Sequence, residues 1–341
     1  MFELYLITGA TGNLGGEVAR RLLDMGARVR ALVFPGDSAE DSLPDEVEVC
    51  HGDVVDTRSM ESFFEGDLKN ACLIHCAGLI TIATLKPKNL WRINVEGTEN
   101  VLSMCADRGV GRVIYVSSVH AIPEGRRGDT VSECYDFSPK KVRGHYAKSK
   151  AAATAIALKA AESGLNLSVV HPSGILCPSD RGKGNISATV LSYCKGKLPM
   201  AVRGGYDFVD LRDVAEGVIA CSERGRRGEC YILSGQYATL KDILEHIRKA
   251  ICGKPIVYLP LWIAKTVSPF YEWVSKMGKK TLFLTPYSAY TLGSNAKFSR
   301  AKAALELGYA PRGIASTLND MLASMPVIKK ALPKKRRARR A

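Results

Sequence analysis

The ten cysteines of this 341-residue chain contain no C-x-x-C pair, no apolar run is long enough to cross a bilayer, and no internal repeat occurs. Each absence removes a class. Cys50, Cys72, Cys76, Cys105, Cys134, Cys177, Cys194, Cys221, Cys230 and Cys252 are scattered, which fits neither a zinc module nor a small disulfide scaffold. They read as reduced, mostly buried small apolar residues, and no metal is expected. Without a 20-residue apolar stretch, nothing here spans a membrane as a helix. No charged, cleavable apolar leader stands before the first strand pattern, so cytoplasmic residence is the expectation.

What is present is an ordinary globular composition, 46% apolar and 24% charged, with a net charge of +14. That charge is uneven. Lys329, Lys330, Lys334, Lys335, Arg336, Arg337, Arg339 and Arg340 supply eight of the fourteen, which leaves +6 on the rest. A terminal run of this kind reads as a solvated tail at 329–341, with peripheral contact to anionic lipid as its other reading and no specific nucleic-acid function.

An apolar run at Leu4 to Ile7 is followed by helical spacing at Leu14, Val18 and Leu22, a stop at Gly26 and a second apolar run at Val29 to Val33. Further short runs at Val47 to Cys50, Cys72 to Cys76, Val113 to Val116 and Leu167 to Val170 alternate with helix-length segments. The alternation predicts an α/β fold, a Rossmann-type doubly wound parallel sheet over 1–175 to which the chain returns at about 206–235. Residues 176–205 and 236–328 are then expected to form a smaller substrate-binding lobe. In it, the broken apolar segment Ile256 to Trp273 reads as a lid or pocket wall, with surface contact to a lipid as the competing use of Trp262 and Trp273.

The first run opens directly into T-G-A-T-G-N-L-G. Gly9, Gly12 and Gly15 let the backbone approach a pyrophosphate, and a helix starting near Asn13 turns its free N–H groups toward the anion, so Thr11, Asn13 and Leu14 join the candidate cofactor residues. NAD and NADP are usually told apart at the end of the second strand. Val33 and Phe34 stand there, and Asp37, Glu40 and Asp41 follow, which would repel a 2′-phosphate; NAD is favoured over NADP. Asp53 and Val54 after the third strand are candidates for the adenine, Asp53 otherwise being a turn former. Cys76, Ala77 and Gly78 after the fourth are small enough for a ribose to come close, and His75 beside them reads as packing.

Tyr146 and Lys150 lie four apart in an alanine- and lysine-rich segment, on one face of a helix. Tyrosine titrates near ~10, and an adjacent ammonium is expected to lower that. Ser117 and Ser118 end the fifth strand, where a hydroxyl can hold a substrate oxygen. Pyrophosphate turn, serine and Tyr/Lys pair together make hydride transfer the expected chemistry.

With H-G-D-V at His51, N-V-E-G-T at Asn94, V-S-S ending at Ser118, Y-A-K-S-K at Tyr146 and H-P-S-G at His171, the chain resembles the extended short-chain dehydrogenase/reductases. The resemblance implies Tyr146 as acid/base, Lys150 tuning it and binding the ribose, Ser118 rather than Ser117 orienting the carbonyl, and Asn94 supporting a relay water. It also implies cofactor contacts from Ser117, Pro172, Ser173 and Gly174, and dimers as a common assembly. Leu259-Pro260-Leu261-Trp262, Ser294 to Ser299 and Leu307 to Arg312 resemble a narrower branch, the 3β-hydroxysteroid dehydrogenase/isomerases and dihydroflavonol reductases. That implies a bulky apolar alcohol or ketone, sterol-like or polyphenol-like. His171 replaces the family's arginine before the proline, and His145 replaces the proline that sugar-nucleotide members often carry before the tyrosine. A sugar-nucleotide epimerase or dehydratase is the alternative, and a non-catalytic dinucleotide sensor the remote one, opposed by the intact Tyr/Lys pair.

Overall fold

The computed structural model describes residues 1–81, 88–126, 128–179, 184–198, 200–277 and 285–325; the basic tail lies outside them. The first half runs β1 (Leu4–Thr8), α1 (Asn13–Asp24), β2 (Arg28–Val33), β3 (Glu48–His51), β4 (Ala71–His75), α2 (Gly97–Asp107), β5 (Arg112–Val116), α3 (His145–Glu162) and β6 (Leu167–Pro172). It continues through β7 (Gly174–Leu176), α4 (Asn185–Cys194), β8 (Met200–Val202), β9 (Gly205–Asp210), α5 (Leu211–Arg224), β10 (Cys230–Leu233), β11 (Gln236–Thr239) and α6 (Leu240–Ile251). Last come β12 (Val257–Leu259), α7 (Leu261–Met277), α8 (Pro286–Thr291), α9 (Ala301–Leu307) and α10 (Ile314–Ser324).

Seven strands pair in parallel in the order β10-β6-β5-β4-β1-β2-β3, the expected doubly wound sheet. Its strands are buried on both faces, so alternate residues feed two cores. Tyr5, Ile7, Cys72, Ile74 and Ile114 pack with residues of α1, α5 and α9, while Leu6, Leu73, Val113 and Tyr115 pack with residues of α2 and α3. A register slip of one residue would exchange these two sets. Three short strands, β11-β9-β7, and a parallel pair, β12 and β8, form separate small sheets beyond β6.

Arg112, buried at the start of β5, has no carboxylate partner among the described residues. Its guanidinium donates to Cys221 O and Gly225 O at the end of α5, and to Ser168 Oγ and Asn166 Oδ1. The charge is held by carbonyls at the negative end of a helix, which ties α5 to the sheet.

Of the cysteines, five are buried, four partly buried and Cys252 exposed. Among the described residues no group of three or more His, Cys, Asp or Glu could hold a metal ion, and no helix is long and apolar enough to cross a membrane.

Candidate active site

The strand order reverses between β1 and β4, and a doubly wound sheet binds its ligand beyond the carboxyl ends at such a point. There Thr8 Oγ1 and His75 Nδ1 lie 2.6 Å apart, His75 Nε2 meets Thr98 Oγ1 at 3.0 Å, and Ala77 N–H donates to Thr8 Oγ1. Burial pushes the His75 imidazolium down to about 3, so the ring is neutral, and it stacks on Tyr115. It braces the two strand ends and does no acid/base work.

The glycine turn fits a dinucleotide. Gly9 has φ +71°, and a Cβ there would lie 2.7 Å from Ala77 N; a Cβ on Gly15 would lie 2.2 Å from Gly9 O. Gly12 caps α1 with no side-chain hydrogen bond, and the first turn holds no acid, so the N–H groups of Asn13 and Leu14 face outward uncompensated. Alongside lies a cavity of about 270 Å³ lined by Gly9, Thr11, Asp37, Asp53, Val54 and Ala77, among others. Asp53 Oδ1 accepts from Val55 N–H, so one of its oxygens serves the turn.

Asp37 is the residue whose placement spacing does not give. It lies beyond the usual acidic position, yet Thr11 Oγ1 donates to its Oδ2 at 2.7 Å and Ala39 N–H to its Oδ1 at 3.0 Å. These donors hold its carboxyl below the usual carboxylate range, the backbone bond contributing most. Phe34, which occupies the usual position, is exposed. An anchored carboxylate therefore borders the cavity, which also meets Arg92.

Tyr146 and Lys150 lie on α3, both buried. Their electrostatics depart from expectation. Burial pushes the Tyr146 phenol up to about 12, opposed by a hydrogen bond with Ser118, and pushes the Lys150 ammonium down to about 8. Lys150 Nζ donates to Val116 O at 2.8 Å and to Tyr115 Oη at 3.4 Å. Its ammonium is held by the end of β5, and burial dominates the resting phenol.

The two serines diverge. Ser117 Oγ pairs with Thr154 Oγ1 at 2.7 Å, on the side of α3, whereas Ser118 bonds Tyr146 and accepts from His120 N–H. Asn94 sits in a π-helical turn, Arg92–Glu96, its Oδ1 accepting from Leu79 N–H and its Nδ2 donating to Leu79 O and Ser149 Oγ. Such turns insert one residue and re-aim a side chain, and they collect at functional sites. Pro172 ends β6; Ser173 N–H donates to Leu233 O, and Gly174 begins β7 opposite Phe208.

His171 was legible only as a missing arginine. Its Nδ1 lies 3.0 Å from the Ser118 carbonyl, which can only accept, so Nδ1 carries the proton. Burial holds the ring neutral, its pKa about 4, and it stacks on Phe137 with ring centroids 5.3 Å apart. It fixes the backbone of Ser118 from behind.

A second cleft, about 460 Å³, opens beside this centre. Its wall includes the rings of His120, Tyr206, Tyr287, Tyr290 and Phe298, with Lys140 and Arg143 among its polar lining. His120 lies between two phenols, Nε2 3.3 Å from Tyr206 Oη and Nδ1 3.1 Å from Tyr287 Oη, with its ring 5.9 Å from that of Tyr146. Among the described side chains, none from Ile256 to Glu272 lines this cleft. That part of the wall is supplied by α8 and the stretch after it, and α7 packs against α8.

Comparison with known proteins agrees with this geometry. The chain is 28% identical to sterol demethylase protein B of Methylococcus capsulatus over 93% of its own length and 97% of that protein's. It is 31% identical to a protein of Synechocystis sp. provisionally named a dihydroflavonol 4-reductase, with 94% of both chains covered. The crystal structure of gox2253 superposes with a TM-score of 0.81 at 31% identity, covering 94% of this chain and 97% of that one. Residues 5–233, from the first strand to the last strand of the large sheet, match the NAD dependent epimerase/dehydratase family model, which makes NAD(P) the cofactor. On this match and these full-length likenesses, the chain belongs to the NAD dependent epimerase/dehydratase family, within the extended short-chain dehydrogenase/reductases.

Proposed function

We propose that the chain is an NAD(P)-dependent oxidoreductase acting on a secondary alcohol or ketone of a bulky, ring-bearing substrate, in the manner of a 3β-hydroxysteroid dehydrogenase. The observation that carries this reading is the buried Tyr146–Ser118 pair beside a cleft walled by His120, Tyr206, Tyr287, Tyr290 and Phe298. Flat rings suit aromatic walls, which stack them and reach their oxygens with phenol hydroxyls. The names of two full-length relatives, one for sterol demethylation and one for a dihydroflavonol reductase, support the same class.

NAD(P), when bound, supplies or takes the hydride. Ser118 and Tyr146 both aim a hydroxyl at the substrate oxygen. In reduction Tyr146 gives its proton to that oxygen, for which a phenol held at about 12 is correctly protonated at neutral pH. Lys150, charged below about 8, stabilises the phenolate left behind. Asn94 holds the backbone at Leu79, and through Ser149 it is joined to the Tyr146 carbonyl, so the sheet edge and α3 keep register. The anchored Asp37 supports NAD over NADP, since its carboxylate accepts from ribose hydroxyls and repels a phosphate.

Lys140 and Arg143 at the same cleft favour one second reading, a sugar-nucleotide epimerase or dehydratase, because cations there suit a diphosphate. A panel of 3β-hydroxysteroids, dihydroflavonol-type alcohols and sugar nucleotides, assayed with added NAD and NADP, separates the two. Cofactor-dependent turnover of a ring alcohol is expected. Conversion of a sugar nucleotide without added cofactor, by protein purified with its cofactor bound, would replace the first reading by the second.

A further inference from the structure

Helix α7 is built inside out. Among its described side chains the buried ones are Ala264, Ser268 and Glu272, while Trp262 is 69% exposed, Phe270 66%, and Val267 is exposed between them. At 100° per residue Trp262, Thr266, Pro269 and Phe270 fall on one arc, opposite Ala264 and Ser268. A helix in water normally shows the reverse arrangement. The break at Pro269 is locally compensated: proline has no N–H for the carbonyl four residues back, and Ser268 Oγ donates to that Lys265 carbonyl at 3.2 Å.

The exposed apolar surface extends beyond the helix. Pro260 alone separates α7 from β12, where Val257, 62% exposed, is in register with Met200 of β8, 51% exposed. Lys195, Lys197, Arg203, Lys254 and Lys265 on these segments are exposed. No Asp or Glu occurs in 195–203 or 252–271. Glu272, the next residue of α7, is buried, and Glu245 of α6 accepts from Tyr258 and is ion-paired with Arg248.

From this face we propose that the protein docks peripherally on an anionic lipid surface through α7 and the β8–β12 edge, with Trp262, Val267 and Phe270 entering the headgroup boundary and the lysines meeting the phosphates. Aromatic side chains favour that boundary, and exposed cations add attraction to an anionic leaflet. A second copy of the chain fits the face less well, because two such faces would bring lysines against lysines. The position also has a use. Leu261 of α7 packs at Gly293, and α8 and the residues around it, Tyr287, Tyr290 and Ser294, line the substrate cleft, so a docked α7 sets the cleft close to the bilayer, from which an apolar substrate can be drawn. Docking goes beyond the proposed reaction and does not require it.

The test is co-sedimentation of the full chain with phosphatidylcholine vesicles, with and without phosphatidylglycerol, alongside NAD binding in solution as a check of fold. Trp262→Ser combined with Phe270→Ser is expected to lower partition into the anionic vesicles about tenfold or more with NAD binding unchanged. Lys254→Glu combined with Lys265→Glu, which alters no apolar packing, is expected to lower partition into anionic vesicles alone. No partition of the unaltered chain overturns the proposal. So does partition that survives both double variants and disappears when 329–341 is removed, which would assign binding to the tail. Self-association in solution that the Trp262/Phe270 variant abolishes, with no vesicle binding, would assign the face to a protein contact instead.

Discussion

The carboxyl edge of the large sheet, which borders the cavity at the glycine turn, and the α8 region, which lines the second cleft, are built by different rules. At the sheet edge the arrangement rests on backbone: Gly9 and Gly15 let main chain pass close to main chain where a Cβ would clash, and Asn94 spends its amide on the chain at Leu79. Around α8 it rests on side chains, with His120 seated between Tyr206 and Tyr287 from three separate parts of the sequence. Backbone devices demand particular residues at fixed short spacing. Side-chain walls demand only that something of suitable shape arrives, and many sequences satisfy that.

Breaking the backbone side should have the larger effect. Gly15→Ala would set a Cβ 2.2 Å from Gly9 O, a clash with main chain that no rotamer relieves; we expect NAD affinity to fall by at least about a hundredfold while the sheet stays folded, read by cofactor titration and circular dichroism. Wild-type affinity in this variant would mean that the turn does not carry the pyrophosphate.

The pH dependence sharpens the comparison, because the titrating group belongs to the sheet side. The Lys150 ammonium, lowered by burial to about 8, is present at neutral pH and lost above that value. Ketone reduction should hold steady through neutrality and fall about tenfold per pH unit above about 8, since Tyr146 stays protonated to about 12. A rate that rises between pH 8 and 10 would show that Lys150 does not set this limb.

The smallest effect is expected at Asp37, where the sheet side borrows a side chain. Asp37→Asn keeps the hydrogen bonding shape and removes the charge; the NAD to NADP ratio of kcat/KM should drop about tenfold. An unchanged ratio would leave discrimination to Arg92 or to the exposed Phe34 nearby.

The same contrast explains what was legible in the sequence. The parallel sheet, the glycine turn and the shared α3 face of Tyr146 and Lys150 follow from local periodicity and spacing, and the structure contains all three. The neutral His75 was readable as packing. The His171–Ser118 carbonyl bond was not, because it joins residues 53 apart on neighbouring strands. The raised phenol was missed for a related reason: helical spacing puts Lys150 near Tyr146 but says nothing of the Val116 carbonyl that engages the ammonium. At Ile256 to Trp273 apolar composition was legible and its direction was not. Helix α7 turns Ala264 and Ser268 inward and Trp262 outward, against the rule by which a wall would be read.

The central claim is that Tyr146 moves the proton while the glycine turn independently holds the cofactor, and one paired measurement tests it: NAD(P)H titration and single-turnover reduction in wild type and Tyr146→Phe. The account predicts cofactor affinity within about threefold and a rate lower by about 10²–10⁴-fold. A phenylalanine variant that reduces substrate at the wild-type rate would contradict it.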